Sequence, residues 1–124
     1  FRFGEAVFIA PSTTPTQFDP DAYLQSLQLL ASYAPRRMFL THYGEVGYSG
    51  ERCELLASQV RDYCDMARRH AGDADGLEAT LVEYSLRRLH EIAPCDEERA
   101  RRWLGFDMRL NAQGLSHWLA ASGA

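Results

Sequence analysis

His42 is the residue of this sequence best placed to do chemistry. It closes an apolar stretch, residues 37–41 (RMFLT), and is followed by Tyr43 and Gly44. Ligands of α/β sheets bind beyond the carboxyl ends of strands, and histidine titrates near neutrality and is a common metal ligand. On spacing alone, the plainer reading of a lone strand-end histidine is a structural or surface residue. Thr13, Thr14 and Thr16 lie in a loop on the same carboxyl side and could shape the same pocket, although threonines between prolines ordinarily make turn hydrogen bonds. Asp19 reads as a helix cap rather than a metal ligand. His70, His90 and His117 fall on separate helices and read as solvated or interfacial. Cys53 and Cys64 share a helix face but are too far apart along it to hold one metal ion.

The elements that must position these groups come from the apolar patterning. Residues 5–10 (EAVFIA) are short and β-rich, and Pro11 stops them, which predicts a buried strand. Residues 11–17 form a proline and hydroxyl loop. Asp19-Pro20-Asp21 marks a helix start, and Leu24, Leu27, Leu30 and Ala31 make one stripe over residues 20–34 before Pro35. With the strand at 37–41 this is a βαβ unit, so the two strands are expected to be parallel neighbours. After Gly50 only helices are predicted. One covers 51–70, with Leu56, Val60, Tyr63, Cys64 and Ala67 on a face. One covers 77–92, with Asp75 and Glu78 as a capping-box-like pair. A short arginine-rich helix capped by Asp96 ends near Gly105. A last helix covers 107–121, with Met108, Ala112, Leu115 and Leu119 on one face. Gly114 in its middle implies close packing, because glycine there costs about 1 kcal/mol against alanine. Trp103, Phe106 and Trp118 are expected to anchor this helical half, and residues 97–102 to be a solvated charge run.

Composition narrows the chemistry. The 124 residues carry 13 basic and 17 acidic side chains, a formal charge of −4, and every basic residue is arginine. Schiff-base chemistry, a lysine base and a P-loop lysine are therefore excluded. The acidic balance argues against a nucleic-acid surface. Three cysteines form no closed disulfide framework, which points to reduced thiols and a cytoplasmic setting. No apolar run approaches the ~18 residues of a membrane span. The chain begins at Phe1 inside an apparent strand, and two parallel strands make no stable sheet alone. Both features suggest a piece of something longer. Residues 1–48 read as the end of an α/β domain, and residues 49–124 as a helical C-terminal extension of about four helices.

The passages FIAPSTTPTQFDPDAYLQSLQLLASYAPRRMFLTHYG and FDMRLNAQGLSHWLA, in this order, resemble the C-terminal part of metallo-β-lactamase-fold metallohydrolases. In that family a strand leads to a Pro-Thr-Thr loop, a helix opens with Phe-Asp-Pro, and a strand ends in histidine. The Asn-Ala-Gln-Gly-Leu segment resembles one bacterial branch. The resemblance implies an αββα sandwich and a two-metal, usually zinc, hydrolase. In such an enzyme metal-activated hydroxide attacks an ester, thioester, amide or similar bond of a small-molecule substrate. His42 would be the retained metal ligand, with Tyr43, Thr13 and Thr14 as possible pocket residues. The family's His-x-His-x-Asp-His segment does not occur in this chain. One ligand cannot hold a catalytic zinc, so these 124 residues alone are expected to be inactive, with zinc bound weakly or not at all. Their natural partner would be the missing N-terminal half of the same fold. The alternative is a stand-alone, mostly helical interaction or dimerisation module, forming a homo-oligomer through uncovered apolar surface.

Overall fold

The computed structural model describes residues 2–3, 6–41 and 44–123. The fold is mixed α/β and mostly helical. Two minimal strands, β1 (Arg2–Phe3) and β2 (Ala6–Val7), pair antiparallel and lead through an extended segment to α1 (Pro20–Ser32). A hairpin follows, β3 (Arg37–Leu40) and β4 (Gly44–Gly47), then α2 (Gly50–Arg69), α3 (Ala74–Ile92) and α4 (Glu97–Ser122).

The expected parallel βαβ unit is not what forms. Among the described residues β2 pairs only with β1, and β3 pairs with β4 in antiparallel register, Met38 opposite Val46 and Phe39 opposite Glu45. Loop closure favours this outcome. The hairpin closes over three residues, whereas the crossover had to bring together strands separated by a whole helix. Gly44, at φ +77°, supplies the left-handed backbone that the return into β4 needs.

The helix starts follow their caps. The Asp19 carboxylate accepts from the Asp21 and Ala22 amides at 2.9 and 3.0 Å, with Pro20 in the first turn, as the sequence predicts. Asp96 caps α4 through the Arg99 amide at 2.7 Å. The start of α3 differs from expectation: Asp73, not the Asp75–Glu78 pair, is the cap, accepting from Gly76 at 2.9 Å, so the helix begins three residues earlier than 77. Residues 97–122 form one helix where two were expected, which leaves three helices after residue 49. Gly105 costs about 1 kcal/mol of propensity. Leu104 and Met108, on either side of it, are both essentially fully buried, and each contributes about 2 kcal/mol by leaving water. Continuity wins.

The core sits between α2, α3 and α4. Val60, Tyr63, Cys64 and Ala67 from α2, Leu77, Leu81, Leu86 and Leu89 from α3, and Leu104, Met108, Ala112, Leu115 and Leu119 from α4 are buried. Phe8 joins this cluster from the other end of the chain. Tyr63 and Ser85 each donate a hydroxyl to the Met108 sulfur, at 3.4 and 3.2 Å. Of the aromatics expected to anchor the helices, Trp118 does pack on the core, edge-on to Phe18 at 6.0 Å. Trp103 and Phe106 do not: Phe106, 68% exposed, falls opposite the Leu104–Met108 face of α4, and Trp103 flanks that face with the Arg99 guanidinium over its ring.

Burial pushes the Cys64 thiol up from 9.0 to about 11, and the Tyr63 hydroxyl up from 10.0 to about 12. The folded state thus keeps the Cys64 proton where the unfolded chain releases it. The stability linked to Cys64 is complete below pH 9 and is lost between pH 9 and about 11. Melting temperature is therefore expected to fall with pH from about 9 in the parent chain. In Cys64→Ala the fall should begin near pH 10, where the raised phenols of Tyr63, Tyr84 and Tyr23 take over; identical profiles would refute the assignment.

Candidate functional site

A cavity of about 510 Å³ lies between the 9–18 segment, α1, the β3–β4 hairpin and the first turns of α2. Its wall is chiefly apolar, with Ile9, Phe18, Leu27, Leu30, Met38 and Leu40 among the lining side chains. That size and lining suit an organic ligand. Polar side chains at its edge include Ser12, Gln17, Tyr23, Ser26, Ser49 and Arg52. Tyr23 stands over the loop, its phenol raised above the ordinary value by burial and partly offset by a hydrogen bond with the Ser12 backbone. Arg52 Nη1 donates to the Gly47 carbonyl and so ties α2 to the end of the hairpin. Cys53, partly buried and unpaired, faces the same space.

The loop that forms one wall is held from below by α4. Asn111, 3% exposed, accepts the Thr13 amide at 2.8 Å and the Thr13 hydroxyl at 3.2 Å on Oδ1, and donates from Nδ2 to the Pro11 carbonyl at 3.0 Å. The Thr13 hydroxyl also donates to the Asn111 backbone carbonyl at 3.0 Å. Gly114, one turn on, lets the loop descend: a Cβ there would overlap the Thr13 carbonyl oxygen and sit 2.6 Å from its carbon. The close packing that the mid-helix glycine implies is thus against backbone.

The sequence-selected residues are distributed unevenly around this site. Thr14 lines the cavity. Thr13 is fully buried and turned to α4, where its hydroxyl is consumed by Asn111. His42 and Tyr43 lie outside the described residues. Asp19 is a cap at the cavity edge. His90 and His117 are exposed, while His70 closes the α2–α3 turn, with Nε2 at 2.9 Å from the Thr80 hydroxyl and Nδ1 at 3.5 Å from Asp73. Sequence reading missed Tyr23, Arg52 and Cys53 as cavity residues, and Asn111 as the loop's anchor. The only advance signal was Gly114, whose cost demands a neighbour.

Among the described residues no three His, Cys, Asp or Glu side chains come together in a way that could hold a metal ion. The hydroxyl–imidazole–carboxylate contact of Thr80, His70 and Asp73 does not line this cavity. No helix formed by the described residues is long and apolar enough to cross a membrane. No protein-family model, curated protein or solved structure matches the chain.

Proposed function

We propose that this chain is the C-terminal part of a metallo-β-lactamase-fold hydrolase, contributing His42 to a zinc centre whose other ligands lie outside these residues. One observation carries the reading. The core of α2, α3 and α4 is closed with the help of Phe8, but α1 and the β3–β4 hairpin are left open. Helix α1 buries none of its residues fully, and Leu29, Tyr33 and Phe39 are 59%, 72% and 73% exposed. An apolar layer of that kind fits an element that packs against further chain. The order of proline–threonine loop, Asp19-capped helix and strand leading to His42 agrees with the family named above.

The described residues do not themselves form a metal site, so the hydrolytic step and its substrate belong to the longer protein. Zinc titration of these 124 residues by calorimetry should show no tight stoichiometric binding. With the residues encoded ahead of Phe1 included, the polypeptide should keep zinc through dialysis. His42→Ala should then lose part of that zinc and slow hydrolysis on the order of 100-fold or more. Unchanged zinc content and rate in that variant would sink the proposal.

The same exposed residues favour a second reading, in which another copy covers them and the chain is a dimerisation module without enzymatic activity. Sedimentation separates the two. A monomer at micromolar concentration speaks against the module, and a dimer lost in Phe39→Ser speaks for it.

A further inference from the structure

Away from that cavity, three side chains at the α2–α3 turn form a row of hydroxyl, imidazole and carboxylate. His70 ends α2, Asp73 caps α3, and Thr80 lies in the second turn of α3. The imidazole Nε2 is 2.9 Å from the Thr80 hydroxyl, and Nδ1 is 3.5 Å from Asp73 Oδ2. The first distance is that of a nucleophile on its base. The second is long, as such contacts often are before a substrate draws the groups together. Asp73 Oδ1 also accepts the Gly76 amide at 2.9 Å, and that bond, with the His70 contact, holds the carboxyl below its ordinary range. A carboxylate can only accept, so the proton of the neutral imidazole sits on Nδ1. Nε2 is then an acceptor, and the Thr80 hydroxyl donates to it.

We infer that Thr80 is an acyl-accepting nucleophile, with His70 as its base and Asp73 as the residue that positions the imidazole. The substrate class is small esters with a good leaving group. Thr80 keeps part of its surface in water, which admits a short acyl chain. The amides around it are bonded within α3 and are not free to hold a developing oxyanion, so the leaving group must be a weak base. In the first step Thr80 Oγ1 adds to the ester carbonyl carbon while its proton passes to His70 Nε2. The bond to the leaving oxygen then breaks, giving a threonine ester and a free phenol or alcohol. Water attacks that ester in turn, again giving its proton to Nε2, and the acid is released. The inference is independent of the hydrolase reading, because none of these groups lies in the α1 layer or at His42.

The probe is para-nitrophenyl acetate, added to the full chain near neutral pH with EDTA present so that metal-dependent hydrolysis is silent. The chain has no lysine, so acetylation of ε-amines, the usual competing reaction, cannot occur. A wash in neutral hydroxylamine strips acetyl from thiols, phenols and imidazoles and leaves alkyl esters in place. Tandem mass spectrometry should then find acetyl on Thr80 ahead of every other hydroxyl. Thr80→Val should lose the burst of nitrophenol, and Thr80→Ser should keep both burst and label. Asp73→Asn is the sharper variant. Asparagine caps a helix as well as aspartate does, so α3 survives. With its oxygen on the Gly76 amide, however, its NH2 group faces Nδ1 and moves the imidazole proton to Nε2. Labelling of Thr80 should slow by more than about tenfold, and nitrogen NMR should find the His70 proton on Nδ1 in the parent and on Nε2 in the variant. Acetyl spread over exposed hydroxyls without preference for Thr80 would overturn the inference. Unchanged labelling in Asp73→Asn, or an imidazole proton on Nε2 in the parent, would overturn it as well.

Discussion

Gly114→Ala is expected to destabilise the chain by about 3 kcal/mol, at the upper end of overpacking effects. The ordinary expectation has the opposite sign, since alanine in place of a mid-helix glycine gains up to about 1 kcal/mol. Here the new methyl has no room. It would overlap the Thr13 carbonyl, which is backbone and cannot swing aside as a side chain would. Either the 11–14 segment lifts from α4, losing the Asn111 hydrogen bonds, or α4 shifts and opens the core around Leu115. Gly105→Ala is the internal control, because a Cβ there meets nothing within 4 Å. Denaturant unfolding of the two variants at constant m-value should therefore move the midpoint in opposite directions. A stabilised Gly114→Ala would mean that the loop does not rest on this helix.

Asn111→Ala should cost a similar amount, about 3–4 kcal/mol. Three hydrogen bonds from the side chain are lost at about 1 kcal/mol each, and the Thr13 amide and Pro11 carbonyl are left buried without partners. The Thr13 hydroxyl keeps its bond to the Asn111 backbone, which limits the loss. Because both substitutions release the same segment, the double variant should fall well short of the sum of the single effects. The cavity supplies a second readout. Ser12 and Thr14 form part of its wall, so a freed loop should let a thiol reagent reach Cys53 several-fold faster. Full additivity with unchanged Cys53 labelling would show that Asn111 and Gly114 act separately.

These two residues also show how far the sequence could be read. The helical half was legible because its signals are local. Periodicity picked out the buried face of α2 from Val60 to Ala67 and that of α4 from Met108 to Leu119, and Asp19 and Asp96 each stand immediately before the helix they cap. The α3 cap was misassigned because Asp73 and Asp75 are equivalent candidates by composition, and only the Gly76 amide decides between them. The strands were misjudged for a different reason. A short apolar run does not reveal its partner, and Glu45 to Gly47 carries too little apolar residue to look like a strand until Met38 and Phe39 lie across from it. The candidate site was less legible still. Thr13 and Thr14 are adjacent and chemically alike, yet one lies buried beneath the loop and the other faces the cavity, a difference set by an asparagine far along the chain.

That distance has a consequence for how the molecule is made. The Thr13–Asn111 bonds span 98 residues and the Pro11–Asn111 bond spans 100. A ribosome adding about 5–20 residues per second reaches Asn111 roughly 5–20 s after it has added Thr13. Through that interval the amino-terminal segment has no helix to rest on, and Phe8 has no core to enter. The 8–13 segment is therefore made well before the helix that fixes it, so translation speed or a chaperone holding that segment bears on yield.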